Sequence, residues 1–338
     1  MGERVLRDPE ALNAHAPVVG VSAGTAAVLG LGLLRQEHAP TTAYLMVGDR
    51  CSQNCAFCAQ ARGSSARPHY LSRVVWPQHP LEQTLEAVNR SFEQGRIVRC
   101  CLQVTASPGY WERTLGIVHQ LRHLSPVPVC TSVVLNDLDS VQQLLQSGVE
   151  RVSLALDAAC ERVFQEAKHD GWENRIELLW TAARRFPGRV GTHLIAGLGE
   201  TEREMSAILQ ELAQRGVTVG LFSFTPVAGT LWAKRAPPLL TSYRRIQAAL
   251  YLLSNSACRV QGWTFSETGR IVSYGLSRQR LHELLSDGRA FQTAGCPGCN
   301  RPYYNERPGS VPYNYPRMLQ PEEIEAAISA VLLELVDE

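Results

Sequence analysis

The 338-residue chain is short of lysine: Lys168 and Lys234 are the only two among 33 basic residues. Arginine supplies the rest, which reads as a compositional habit rather than a functional choice. An excess of one charge is lacking too, since 33 basic residues face 32 acidic ones. That excludes a general nucleic-acid binder, whose phosphate contacts need a basic surplus. Internal repeats and low-complexity tracts are missing. With 45% hydrophobic and 19% charged residues, the chain is core-forming rather than disordered, collagenous or coiled-coil. Long apolar runs are scarce. Residues 16–34 carry no charge and approach a membrane span in length, but Gly20, Ser22, Gly24, Thr25, Gly30 and Gly32 dilute them. Asp8 and Glu10 stand where a signal peptide needs basic residues. A buried helix over 23–35 capped by Ser22 is expected, with no membrane contact.

Cysteine is what the chain does have. Ten cysteines are spread along it, too thinly for a small disulfide framework. Cys51, Cys55 and Cys58 fall within eight residues, and Cys296 and Cys299 enclose a Pro-Gly turn. Such short spacings favour metal ligation in a reducing compartment, so a cytoplasmic location is expected.

From residue 43 onward, short apolar runs cover 43–47, 98–104, 127–134, 151–156, 190–195, 217–224, 260–265 and 290–293. Helical patterns over 80–94, 111–124, 140–147, 175–185, 202–215, 242–253 and 278–285 alternate with them. Eight alternations over about 250 residues predict an α/β fold, a (β/α)8 TIM-type barrel over 42–295. A doubly wound open sheet has the same periodicity and is the alternative. Residues 1–41 are expected to form an N-terminal helical extension. Residues 296–316 are too rich in proline for a helix or a central strand and read as an irregular tail. A final amphipathic helix over 322–335 completes the 296–338 appendage.

Residues 51–58 read CSQNCAFC, a CxxxCxxC with Phe57 just before the last cysteine. Three thiolates leave one iron of a 4Fe–4S cluster without a protein ligand. A loop directly after the first strand puts them at the C-terminal face of a barrel, where active sites sit. A zinc site or three buried cysteines is the alternative, although zinc knuckles favour a second CxxC pair and none lies within 40 residues.

The motif resembles that of the radical S-adenosylmethionine (SAM) superfamily. Membership implies that the open iron binds the amino and carboxylate groups of SAM, which is then cleaved reductively to a 5′-deoxyadenosyl radical. Residues 193–200, HLIAGLGE, resemble the strand-five GxIxGxxE signature with His193 in place of its first glycine, which implies Ile195 and Gly197 at the adenine. Residues 224–230, FTPVAGT, resemble the FxPxxGT turn beside the adenosine and so assign Phe224 and Pro226. Asp157 at the end of the fourth strand fits the carboxylate that contacts ribose or substrate in biotin-synthase-like members, and Arg175 is the candidate for the SAM carboxylate. The family's G-G-E after strand two is replaced by VTASPG at 104–109, which leaves Thr105 as the candidate there. Without the resemblance, Asp157 is also readable as a helix cap, and Gly197 and Gly199 as ordinary turn glycines.

Seven cysteines remain. Along 98–104 side chains alternate, so Arg99, Cys101, Gln103 and Thr105 share one face and Cys100, Leu102 and Val104 the other. The polar set is expected to face the chamber. With Cys130 on the third strand, the arrangement resembles biotin synthase, whose sulfur-donating auxiliary cluster takes cysteines from strands two and three. The cysteine that pattern has near Gly191 is missing, and Gln261 stands about where its strand-seven arginine would be. A second 4Fe–4S cluster on Cys101, Cys130, Cys296 and Cys299 is therefore expected, with an eighth strand placing the Pro-Gly turn beside the first cluster. A zinc staple on Cys296 and Cys299 is the alternative, and Cys160 and Cys258 are read as structural.

Residues 299–309, CNRPYYNERPG, resemble the tail of one subunit of the split, two-component lipoyl synthases. That resemblance implies a sulfurtransferase acting on a protein-bound octanoyl chain. Its partners would be an octanoylated lipoyl carrier domain, a companion radical SAM subunit and a ferredoxin or flavodoxin. Tyr303, Tyr304, Asn305, Arg307 and Tyr313 would form a lid or docking surface, or simply a packed tail. Another biotin-synthase-like reaction on a free small molecule is the first alternative, and an iron–sulfur carrier without SAM chemistry the second.

Overall fold

Short β-rich runs followed by amphipathic helices build this chain, seen in a computed structural model that describes residues 17–168, 170–306, 309–333 and 335. In chain order the first elements are β1 (Val18–Val21), α1 (Ala23–Leu29), β2 (Thr42–Val47), β3 (Tyr70–Leu71), β4 (Val74–Val75), β5 (Gln78–Pro80) and α2 (Leu81–Glu93). The middle comprises β6 (Arg99–Val104), α3 (Tyr110–Leu124), β7 (Val129–Ser132), α4 (Leu138–Gln146), β8 (Arg151–Ser153), α5 (Glu161–Lys168), α6 (Trp172–Arg185) and β9 (Val190–Ala196). Then come α7 (Glu202–Gln214), β10 (Thr218–Ser223), α8 (Leu240–Ser254), β11 (Thr264–Phe265), β12 (Ile271–Ser273), α9 (Arg278–Leu285) and α10 (Pro321–Leu332).

The main sheet has eight strands in the order β10-β9-β8-β7-β6-β2-β1-β5. β2 and β6 to β10 run parallel, each feeding a helix that packs on the outer face. This is the α/β TIM-type barrel architecture. Side-chain alternation sorts the strands. In β6, Cys100 and Leu102 are fully buried against the helices, whereas Cys101 and Gln103 point into the lumen. Helix starts follow local chemistry: Thr201 and Glu204 form a capping box on α7, and Asp137 caps α4 by accepting from Ser140 N. Among the described residues no helix is long and apolar enough to cross a membrane.

The last two expected strands do not join the sheet. Residues 260–265 form a 3-10 turn and the two-residue β11, which pairs only with β12. Residues 289–291 are another 3-10 turn, followed by a single bridge between Gln292 and Tyr315. Both runs are too short and too interrupted by turn residues to extend a ladder. The sheet reaches eight strands from its other edge, where β1 pairs antiparallel with β2 and β5 pairs antiparallel with β1. The N-terminal extension is thus part strand, and α1 ends at Leu29 rather than residue 35 because Gly30 adopts a left-handed φ of 74°.

The C-terminal tail takes the place of the missing strands. It lies along the seam between β2 and β10, running from one end of the barrel to the other. Thr41 N donates to Asn300 Oδ1 at 3.0 Å, and Arg301 N to Tyr44 Oη at 3.1 Å. Further on, Asn305 Nδ2 donates to Ser223 O at 2.9 Å and to Thr225 Oγ1 at 3.1 Å. The proline-rich segment needs no ladder partners of its own to do this, because side chains make the bonds.

Candidate active site

Two cavities share the lumen. The first, of about 210 Å³, opens at the C-terminal ends of the parallel strands. The loop after β2 carries Cys51, Cys55 and Cys58 onto its wall, together with Phe57. Arg50 pins this loop, donating through Nη1 to Ser64 O at 2.8 Å and through Nη2 to Ala66 O at 2.8 Å. Cys55 and Cys58 are enclosed thiols. Burial pushes Cys55 up to about 11 and Cys58 up to about 12, and Lys168 draws Cys55 back only in part. Thiols so placed hold their protons until a cation displaces them, which fits iron ligation.

Opposite the triad lies a buried ion pair that the sequence reading missed. Lys168 Nζ donates to Asp157 Oδ2 and to Ala155 O, both at 2.7 Å. Asp157 occupies a left-handed φ of 67° in the loop after β8, and a bridge to Leu194 holds it there. It is therefore not a helix cap: its carboxylate serves Lys168 and the cavity. Lys168 comes from α5, a helix the periodicity did not reveal. Arg175 also lines this cavity, where its Nη2 donates to Asp170 Oδ2 at 2.8 Å.

Thr105, Ile195 and Phe224 line the first cavity as well. Gly197 and Pro226 do not. A Cβ on Gly197 would come within 2.8 Å of Pro238, so its absence serves packing. Glu200 fixes that turn by accepting from Gly197 N at 2.6 Å and Leu198 N at 3.0 Å. Pro226 faces a separate surface groove with Arg67 and Arg73.

The second cavity, of about 40 Å³, lies toward the N-terminal ends of the strands. Cys101, Cys130, Cys296 and Cys299 all line it. Cys101 and Cys130 are register partners on β6 and β7, so they point the same way. The tail brings the other two from below, where Thr41 Oγ1 donates to Gly298 O at 2.6 Å. The Pro-Gly turn therefore sits at the opposite end of the barrel from the triad, not beside it as an eighth strand would have placed it. Gln103 Nε2 donates to Cys101 Sγ at 3.0 Å, and Tyr44 Oη lies 3.2 Å from Cys299 Sγ. The Cys130 thiol is held well up by hydrogen bonds to Cys101 and Cys296. Cys296 is drawn down to about 7, first by its hydrogen bond with Cys130 and then by Arg99, Arg151 and Arg301. Gln261, by contrast, is exposed on the 3-10 turn far from this wall. Among the described residues no three His, Cys, Asp or Glu side chains converge on one metal-ion position. A cubane cluster spreads its thiolates more widely than a single ion does.

Gln103, His193, Phe222 and Tyr304 belong to both cavities and form the wall between them. His193 is buried against Phe222, ring centres 5.2 Å apart, and burial lowers it to about 4, so the imidazole is neutral near pH 7. Of the expected lid, Tyr304 and Asn305 close the first cavity. Tyr313 instead packs on Tyr243 and donates to Pro238 O at 2.7 Å, and Tyr303 is not on the wall. Arg307 lies outside the described residues.

Residues 45–212, which include the triad, match the family model described as Radical SAM superfamily. Those residues form a radical SAM domain. It is 30% identical over 210 residues to the biotin synthase of Pelotomaculum thermopropionicum, covering 59% of this chain and 61% of that protein. It is 26% identical over 191 residues to the lipoyl synthase of Chlamydia felis, covering 53% and 56%. The matched curated relatives are spanned over 49 to 64% of their own length. Among solved structures, the FeFe-hydrogenase maturase HydG from Carboxydothermus hydrogenoformans superposes with a TM-score of 0.50 at 17% identity, covering 64% of this chain and 51% of that one. That likeness is one of fold alone. Over these residues the chain is related in sequence to biotin and lipoyl synthases.

Proposed function

We propose that the chain is a radical SAM sulfurtransferase that places sulfur at an unactivated C–H position of a protein-bound octanoyl chain, as one half of a two-component lipoyl synthase. One observation carries the reading: three cysteines at one cavity and four at another, separated only by Gln103, His193, Phe222 and Tyr304. When bound, a cluster on Cys51, Cys55 and Cys58 supplies the electron for reductive SAM cleavage, and one on Cys101, Cys130, Cys296 and Cys299 supplies the sulfur.

The chain's own residues orient and insulate. Lys168 fixes Asp157 Oδ2 and leaves Oδ1 to accept from a hydroxyl in the first cavity. Arg175, already steered by Asp170, offers a cation to a carboxylate there. Val104, Val134, Ile195, Phe222 and Phe224 give an alkyl chain an apolar wall. Tyr304 and Asn305, tied to the end of β10, keep water from the centre of the barrel. The exposed entrance receives the acylated side chain of a carrier domain. A companion radical SAM subunit would insert the other sulfur, and a ferredoxin or flavodoxin would reduce the protein.

The test is anaerobic incubation of reconstituted protein with dithionite, SAM and an octanoylated carrier peptide. Formation of 5′-deoxyadenosine with one sulfur added to the peptide is expected. Deoxyadenosine with sulfur entering only a free acyl compound would replace this substrate, and deoxyadenosine with no sulfur transfer would overturn the sulfurtransferase reading.

A further inference from the structure

Arg301 follows the Cys296–Cys299 turn by two residues, and its side chain enters the barrel beside the four cysteines. Its Cζ stands 3.9 Å from the centre of the Phe222 ring. Nη2 donates to the carbonyls of Ala294 and Leu221. The placement is built at some cost in backbone freedom. Arg301 holds a left-handed φ of 34°, unusual for a residue with a Cβ. β10 also gives way: a Cβ at Gly220 would meet His193 Cδ2 at 2.9 Å and Arg301 Nη1 at 3.1 Å.

Among the described residues no carboxylate reaches this guanidinium. Arg99, on the same cavity, pairs with Glu150 at 2.7 Å, and Arg151 shares that carboxylate at 3.6 Å. Glu306, the carboxyl whose field Arg301 influences, instead accepts from Asn305 N at 3.2 Å and Asn314 N at 3.0 Å. A guanidinium enclosed without a counter-ion is unfavourable, so such a site implies an anion to complete it. Four thiolates around an iron–sulfur core form a net negative group, and nearby charge sets the potential of such groups.

We propose that Arg301 is a positioning residue for the group held by Cys101, Cys130, Cys296 and Cys299: its charge completes that group and sets how readily it accepts an electron. This rests on the four-cysteine reading given above. Removing a positive charge disfavours the reduced, more negative state, so the potential falls.

The experiment uses the Cys51→Ala/Cys55→Ala/Cys58→Ala chain, reconstituted with iron and sulfide and titrated redox-potentiometrically by EPR, alone and with Arg301→Met or Arg301→Lys. A potential lowered in Arg301→Met and restored in Arg301→Lys is expected. Iron lost in Arg301→Met but kept in Arg301→Lys carries the same conclusion. An unmoved potential in folded, iron-loaded Arg301→Met overturns the role of Arg301 alone, as does equal loss of iron in both variants. If the parent chain binds no iron, the four-cysteine reading falls and takes this proposal with it.

Discussion

Cys55→Ala is expected to lower 5′-deoxyadenosine formation from SAM by more than 100-fold. Changes in the outer shell of a metal site already cost about 10–100-fold, and a ligand matters more than its surroundings. Cys55 lines the first cavity and feels the charges of both Lys168 and Asp157. Its replacement removes one of three ligands on a loop whose anchor, Arg50, is untouched. The protein should therefore fold, and its unfolding midpoint should stay near that of the parent compared without iron. Deoxyadenosine formed at the parent rate would mean that the triad does not serve SAM cleavage.

Lys168→Met is expected to destabilise the fold by about 3–5 kcal/mol, the usual consequence of stripping one partner from a buried ion pair. Lys168 is 9% exposed and Asp157 13%, so solvent cannot take over the orphaned carboxylate. Asp157 is in addition fixed by its bridge to Leu194 and has little room to turn away. The double variant Lys168→Met/Asp157→Asn should recover part of the loss, because it leaves no uncompensated charge. Urea unfolding midpoints of the three proteins at equal iron loading measure this. A single variant as stable as the parent would show that the pair is neither buried nor coupled.

The parallel part of the barrel was legible from residue order because each apolar run is bounded by turn residues and followed by an amphipathic helix. The run at 260–265 carries similar residues but belongs to a two-strand hairpin, since nothing in a short apolar stretch says which partner it meets. β1 and β5 were hidden for the same reason: His79 and Pro80 do not look like a strand until β1 lies beside them. At the site, the triad and the four further cysteines could be read because thiol spacing and strand alternation are local signals. Lys168 was not marked by any motif, and Arg301 was read only as part of the tail stretch CNRPYYNERPG. A near-absence of lysine could have drawn attention to Lys168, one of only two in the chain. Arg301 acquires meaning only when the tail is seen to fill the seam between β2 and β10, a long-range fact.

The most direct test of the two-centre account is iron and sulfide quantitation on reconstituted Cys51→Ala/Cys55→Ala/Cys58→Ala protein. The account predicts about four irons and as many sulfides per chain, lost when Cys101 and Cys296 are also replaced. An iron-free triple variant would contradict it.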